Sequence, residues 1–167
     1  MPESTRIAGL LHDVFHGELL DHQPGEAWHG PATLGLVQDL SAADAAKKPI
    51  PGGHSIWELV LHIANWNDII VRRLARENVV GLVNTEVDWP KNAGGNDAAW
   101  RDAIDRMRHS YENLLKAIAA ASDEKLAESA VNRKHSNYVM LHGIIHHVVY
   151  HSGQIGLLRK ALSQAKS

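Results

Sequence analysis

The chain contains no cysteine. That removes disulfides, thiolate metal ligands and cysteine nucleophiles together, and argues against a small disulfide-stapled secreted scaffold. Nor is there an excess of positive charge. Seventeen Lys and Arg against nineteen Asp and Glu leave a formal net charge of −2, unlike the basic footprint of a nucleic-acid binder, so no nucleic-acid partner is expected. No apolar run is long enough to span a bilayer. The first residues, Met1-Pro-Glu-Ser-Thr-Arg6, are polar and lack the apolar stretch of a secretory signal. A cytoplasmic protein without a membrane partner is therefore expected. Internal repeats, low-complexity tracts and dividing linkers are also missing. With 167 residues, 44% of them hydrophobic and 22% charged, the chain suits one globular domain over residues 1–167 with a substantial core, and not a disordered one.

What is present is helical periodicity. A first helix is predicted from about Thr5 to Leu20, where Ile7, Leu10, Leu11, Val14 and Phe15 recur at helical spacing. Pro24-Gly25 breaks it. A short helical piece follows with Leu34, Leu36, Val37 and Leu40, and Ser41-Ala-Ala-Asp44 imitates a capping box. Pro49-Ile-Pro-Gly-Gly53 is a stop. Ser55 and Glu58 then form an S-x-x-E capping box for a second long helix, fading near Glu77, whose residues Ile56, Leu59, Ile63, Trp66, Ile70 and Leu74 share one face. Residues 78–96 make a long connection, which suggests a crossover or a functional loop. A third helix is predicted over about Asp97–Ala121 and a fourth over about Asn137–Leu162. Four amphipathic helices with long loops favour an all-α four-helix bundle, a fold whose core can gather side chains from facing helices around a metal.

Twelve histidines are spread along the chain, densely from His135 to His151. With cysteine absent, a transition-metal site must use imidazole, with or without carboxylate. The last helix offers two chelating i,i+4 pairs, His142 with His146 and His147 with His151. The apolar pattern selects between them. Stepping by three and four from His147 meets Met140, Ile144, His151, Gln154 and Leu158, a stripe apolar at both ends, whereas His142 and His146 fall on the opposite side. Buried imidazoles need partners, and a third ligand should come from another helix. His62, at the edge of the inward face of the second helix, is the best candidate. A hydrogen-bonded core histidine is the competing reading for each residue alone. His12, His16, His22, His109 and His135 read as solvated, His54 as a capping or turn residue, and His29 as a loop or pocket residue. Trp57, Trp66, Trp89 and Trp100 read as core and interface anchors, with Trp66 also placed to wall a pocket.

Several segments resemble the DinB-like (DinB and YfiT-like) superfamily in the same order: Ala27-Trp-His-Gly-Pro31, Pro49-Ile-Pro-Gly-Gly-His-Ser-Ile-Trp-Glu-Leu-Val-Leu-His-Ile-Ala-Asn-Trp66, Asp88-Trp-Pro90 and His147-Val-Val-Tyr-His-Ser-Gly-Gln-Ile155. The resemblance implies a helical bundle with an unusual order, a long crossover between helices two and three, and homodimers in many members. It implies a divalent-metal site of three histidines, which fall here on His62, His147 and His151.

Three neutral imidazoles leave a divalent ion its full charge and an open position for water or a thiol, whereas structural zinc is normally closed by four protein ligands. Imidazole suits zinc, nickel, iron or copper; zinc or nickel is expected. The family includes S-transferases that use low-molecular-weight thiols, a maleylpyruvate isomerase and suspected hydrolases. The expected function is thus a metal-dependent hydrolase or small-thiol S-transferase acting on a small molecule. The alternative is a non-catalytic metal-binding or interaction module of a stress response. No general base stands out. Gln154, near His151, is a candidate to orient a ligand or water. Glu58 reads as a cap, and Tyr150 as structural, pointing away from His151.

Overall fold

The computed structural model describes residues 1–18, 25–90 and 95–164. It is mostly helical, with one two-stranded pairing. Helix α1 spans Glu3–His16, short of the expected Leu20. Gly17 ends it in the left-handed region at φ 70°, and a Cβ there would meet the Glu26 backbone at 2.5 Å, so only glycine fits. Ile7, Leu11, Val14 and Phe15 face the core. Leu10, expected with them, is 51% exposed, because it lies off the stripe the other four define. Strands β1 (Glu26–Ala27) and β2 (Gly30–Pro31) form an antiparallel hairpin that periodicity did not predict, being too short to show any.

Residues 33–39 form consecutive turns and not a regular helix. They are tied to α1 by Thr33 N–H to the Val14 carbonyl at 3.0 Å. Helix α2 (Ala42–Ala46) begins at Ser41, whose hydroxyl accepts from Asp44 N–H as the sequence suggested. Helix α3 (Ile56–Leu74) carries the predicted capping box in full: Glu58 N–H donates to Ser55 Oγ at 3.2 Å, and Ser55 N–H to Glu58 Oε2 at 3.0 Å. Such a cap stabilises a helix start by about 1 kcal/mol. Helix α4 (Asp97–Ala119) is capped by Asn96, and its Asp97 carboxylate accepts from Ala42 N–H at 2.8 Å, joining it to α2. A short helix α5 (Asp123–Ala127) and an isolated Ser129–Ser136 bridge occupy the polar stretch that follows. Helix α6 (Asn137–Gln164) has 28 residues, a length of about 42 Å. Among the described residues no helix is long and apolar enough to cross a membrane.

The long helices share one core containing Phe15, Ile63, Trp100, Met107, Leu114 and Ile155. Each such side chain contributes roughly 1.5–3 kcal/mol when withdrawn from water. Cross-contacts set the helix directions. Trp57 packs on Trp100, with ring centroids 5.2 Å apart, and Asn67 donates to Ser110 Oγ at 3.1 Å. Residue numbers rise together, so α3 and α4 run parallel. His62 instead meets His147 and His151, while Leu59 faces Leu158 across a small cavity, so α3 and α6 run antiparallel. A parallel neighbour obliges the chain to return to the starting level of α3 before α4 begins. Residues 75–90 bring Asp88 and Trp89 back beside His62 and His54.

Candidate metal centre

Three side chains from two helices converge. His62 Nε2 lies 2.9 Å from His147 Nε2, which lies 3.1 Å from His151 Nε2. These are the three residues singled out by helical phase. The opposite pair is turned away: His146 is exposed, and His142 Nδ1 donates to the Tyr138 carbonyl one turn earlier at 3.0 Å.

The far side of each ring determines what its Nε2 can offer. His62 Nδ1–H donates to the Asp88 carbonyl at 2.6 Å, with the Asp88 carboxylate 3.4 Å away. His151 Nδ1–H donates to Gln154 Oε1 at 2.6 Å. With their protons held there, both rings present an Nε2 lone pair to the centre. His147 Nδ1 is buried without a hydrogen-bond partner. Two lone pairs aimed at a third nitrogen need something positive between them. A proton on His147 Nε2 can serve both only by bifurcation; a cation serves all three lone pairs at once.

The distances fit the second case. An ion about 2.0–2.1 Å from two imidazole nitrogens, at angles of about 90–110°, sets them about 2.9–3.4 Å apart. Electrostatics agree. Burial, then the neighbouring His151 and His62, pushes His147 down to about 3. Burial is also the main cause that brings His151 down to about 4, against a raising contribution from Gln154. His62 is lowered chiefly by burial. All three imidazoles are therefore neutral near pH 7, the form that ligates. Among the described residues no other histidine or carboxylate joins the cluster, so three side chains could hold an ion and leave part of its coordination sphere open.

The cluster opens on a cleft of about 520 Å³ between α3 and α6, walled by Trp66, Ile70, Trp89, Met140 and Ile144. Trp89 lies stacked between His62 at 3.8 Å and His54 at 3.5 Å. It packs against the core, as expected of an anchor, and also borders the cleft. Trp57 and Trp100 are core, whereas Trp66 and Trp89 line the site. Asp88, quoted above only within a family-like segment and given no role, is only 4% exposed. It accepts from Trp66 Nε1–H at 2.8 Å and from Asn84 N–H at 2.8 Å, and so fixes both the wall and the acceptor of His62. An aspartate ahead of a Trp-Pro pair was the available signal.

Other expectations are revised. Tyr150 reaches the cleft rim, its ring 5.0 Å from that of His151, because a residue beside a ligand still borders an open site. His135 lines the far end of the cleft, and His12 is half-buried against the Tyr111 hydroxyl at 2.6 Å. His54 adds its stacking on Trp89 to a 3.3 Å contact with Glu58. Glu58 stays with the cap and with Lys48 at 2.7 Å. His29 borders a second cavity with Ser152 and Arg159, away from the triad. His22 lies outside the described residues.

A search of the curated proteins and of the solved structures finds no significant match. The family model of the DinB superfamily matches residues 27–155, a span that holds all three histidines together with Asp88 and Gln154, and the chain belongs to that superfamily.

Proposed function

We propose that this protein is a metal-dependent enzyme that holds one divalent cation, zinc or nickel, on His62, His147 and His151. It acts on a small molecule either by hydrolysis or by transfer to a low-molecular-weight thiol. The observation that carries the reading is the meeting of three neutral Nε2 atoms at the wall of an open apolar cleft with no fourth protein ligand among the described residues. A sealed four-ligand site would instead favour the structural role.

A cation bound with open coordination supplies Lewis acidity toward water or a thiol. The chain's own residues do the rest. The Asp88 carbonyl and Gln154 hold the Nδ1 protons of His62 and His151, fixing tautomer and ring direction. Gln154 is on this reading a positioning residue, not one that touches substrate. Trp66, Trp89, Met140 and Ile144 exclude water and seat the apolar part of a substrate. We further read α1, α3, α4 and α6 as one four-helix bundle domain with a crossover between α3 and α4. A homodimer in the cytoplasm is the proposed working state. Elemental analysis of native protein, then an ester-hydrolysis and thiol-transfer panel on wild type and His147→Ala, tests the proposal. Activity should vanish with the metal; activity that survives its removal refutes the catalytic reading.

A further inference from the structure

The cleft has a second end. On α3, His62, Trp66, Ile70 and Arg73 follow one another at spacings of three and four, and all four line it. Arg73 lies eleven residues beyond His62 on the helix, and its side chain reaches back to the Trp66 ring, which is itself 5.7 Å from the His147 ring. On antiparallel α6, the same direction leads from His147 past Ile144 to Val139, and then to His135 just ahead of the helix. Between the two ends the walls are apolar.

Arg73 is held toward this end and left short of an anion. Its guanidinium lies 5.4 Å from the centre of the Trp66 ring, a cation–π contact that keeps it along the cleft wall. Its Nε and Nη2 donate to the Val79 carbonyl at 3.3 and 3.1 Å, and Arg133 Nη2 donates to the same oxygen at 3.4 Å. Two cations thus share one neutral acceptor. The nearby carboxylates are occupied elsewhere: Glu77 pairs with Arg72 at 2.7 Å, and Glu128 with Arg76 at 2.8 Å and Lys125 at 3.2 Å. Among the described residues no carboxylate pairs with Arg73 or Arg133. Partial burial, and then Arg133, lower the Arg73 pKa, which is the cost an anion would relieve. A guanidinium with free donor edges recognises carboxylate or phosphate.

We propose that Arg73, backed by Arg133, forms an anion-binding subsite at the end of the cleft away from the triad, so that the substrate is an amphipathic molecule: an apolar body ending in a carboxylate or phosphate, with the reacting group at the triad. The substrate class rests on the proposed function; the anion subsite does not, and the test separates them.

Binding of octanoate, octyl phosphate and octanol to chelator-treated protein at pH 7.5 is measured by calorimetry, where no metal can attract the anion. Both anions should bind better than octanol, and the tighter of the two identifies the end group. Arg73→Gln should weaken the anions by about tenfold or more, the worth of a charge-assisted contact, and leave octanol unchanged. Arg73→Lys should recover part of the loss. In unaltered protein, raising salt from 20 to 500 mM should weaken the anions several-fold and not octanol, so the idea stays testable if Arg73→Gln fails to fold. Equal binding of anions and alcohol, or a flat salt response, overturns the subsite. Metal content, measured separately, decides the metal reading on its own.

Discussion

Helix α6 carries two histidine pairs of identical spacing, and they share little else. His147 and His151 face α3, lose most of their solvent and meet His62 at nitrogen–nitrogen distances of 2.9 and 3.1 Å. His142 and His146 lie on the other side, one turned back onto its own helix and the other in water. Four-residue spacing belongs to the helix and makes chelation geometrically possible. What turns spacing into a binding site is the partner across the core and the acceptor behind each ring, and only one pair has them.

The largest test of this contrast is deletion. His147→Ala removes the nitrogen that touches both others, so metal content by elemental analysis should fall from stoichiometric to background. His146→Ala should leave it intact. Equal losses would mean that spacing alone decides, and the contrast would break. A smaller effect sharpens the role of the acceptors. Gln154→Leu keeps the fold of α6 but frees the His151 Nδ1 proton, and metal affinity in a competitive chelator titration should fall by about 10–100-fold. An unchanged affinity would show that the acceptor behind the ring is dispensable.

A third effect, on stability and not on metal content, concerns acid. His147 titrates at about 3 and His151 at about 4 in the folded chain, against 6.5 for an unperturbed imidazole. As pH falls below 6.5 the unfolded chain takes up protons that the folded chain refuses, so the metal-free protein is most stable above pH 6.5 and loses stability toward pH 4. Thermal melting with chelator present should show a falling Tm over that window. His147→Ala should flatten the slope.

How much of this was readable beforehand depended on whether a residue belonged to a periodic segment. The cap at Ser55 and Glu58, the apolar face of α3 and the stripe through His147, His151 and Gln154 follow from spacing, and the structure reproduces them. Leu10 misled because an apolar residue beside a stripe looks like part of it, although a helix buries only one face. The roles of Asp88 and Trp89 were hidden for another reason. They lie in a segment without periodicity, and their value comes from contacts 26 and 27 residues away with His62. The hairpin at residues 26–31 and helix α5 were too short to register. Arg73 does sit on the predicted helix, but its lack of a carboxylate partner is a property of the assembled ion pairs and of no local pattern.

The parallel packing of α3 and α4 has a consequence for how such a scaffold can vary. The three clustered imidazole nitrogens sit on two long helices whose spacing is fixed by a dense core, yet the oxygen that steers His62 and one aromatic wall come from the stretch of chain that returns between them. Loops accept changes of length at little thermodynamic expense. Rewriting that return can therefore reshape the mouth of the cleft and the acceptor behind one imidazole while the nitrogens stay where the helices put them, which separates the part that sets the cluster from the part that shapes access to it.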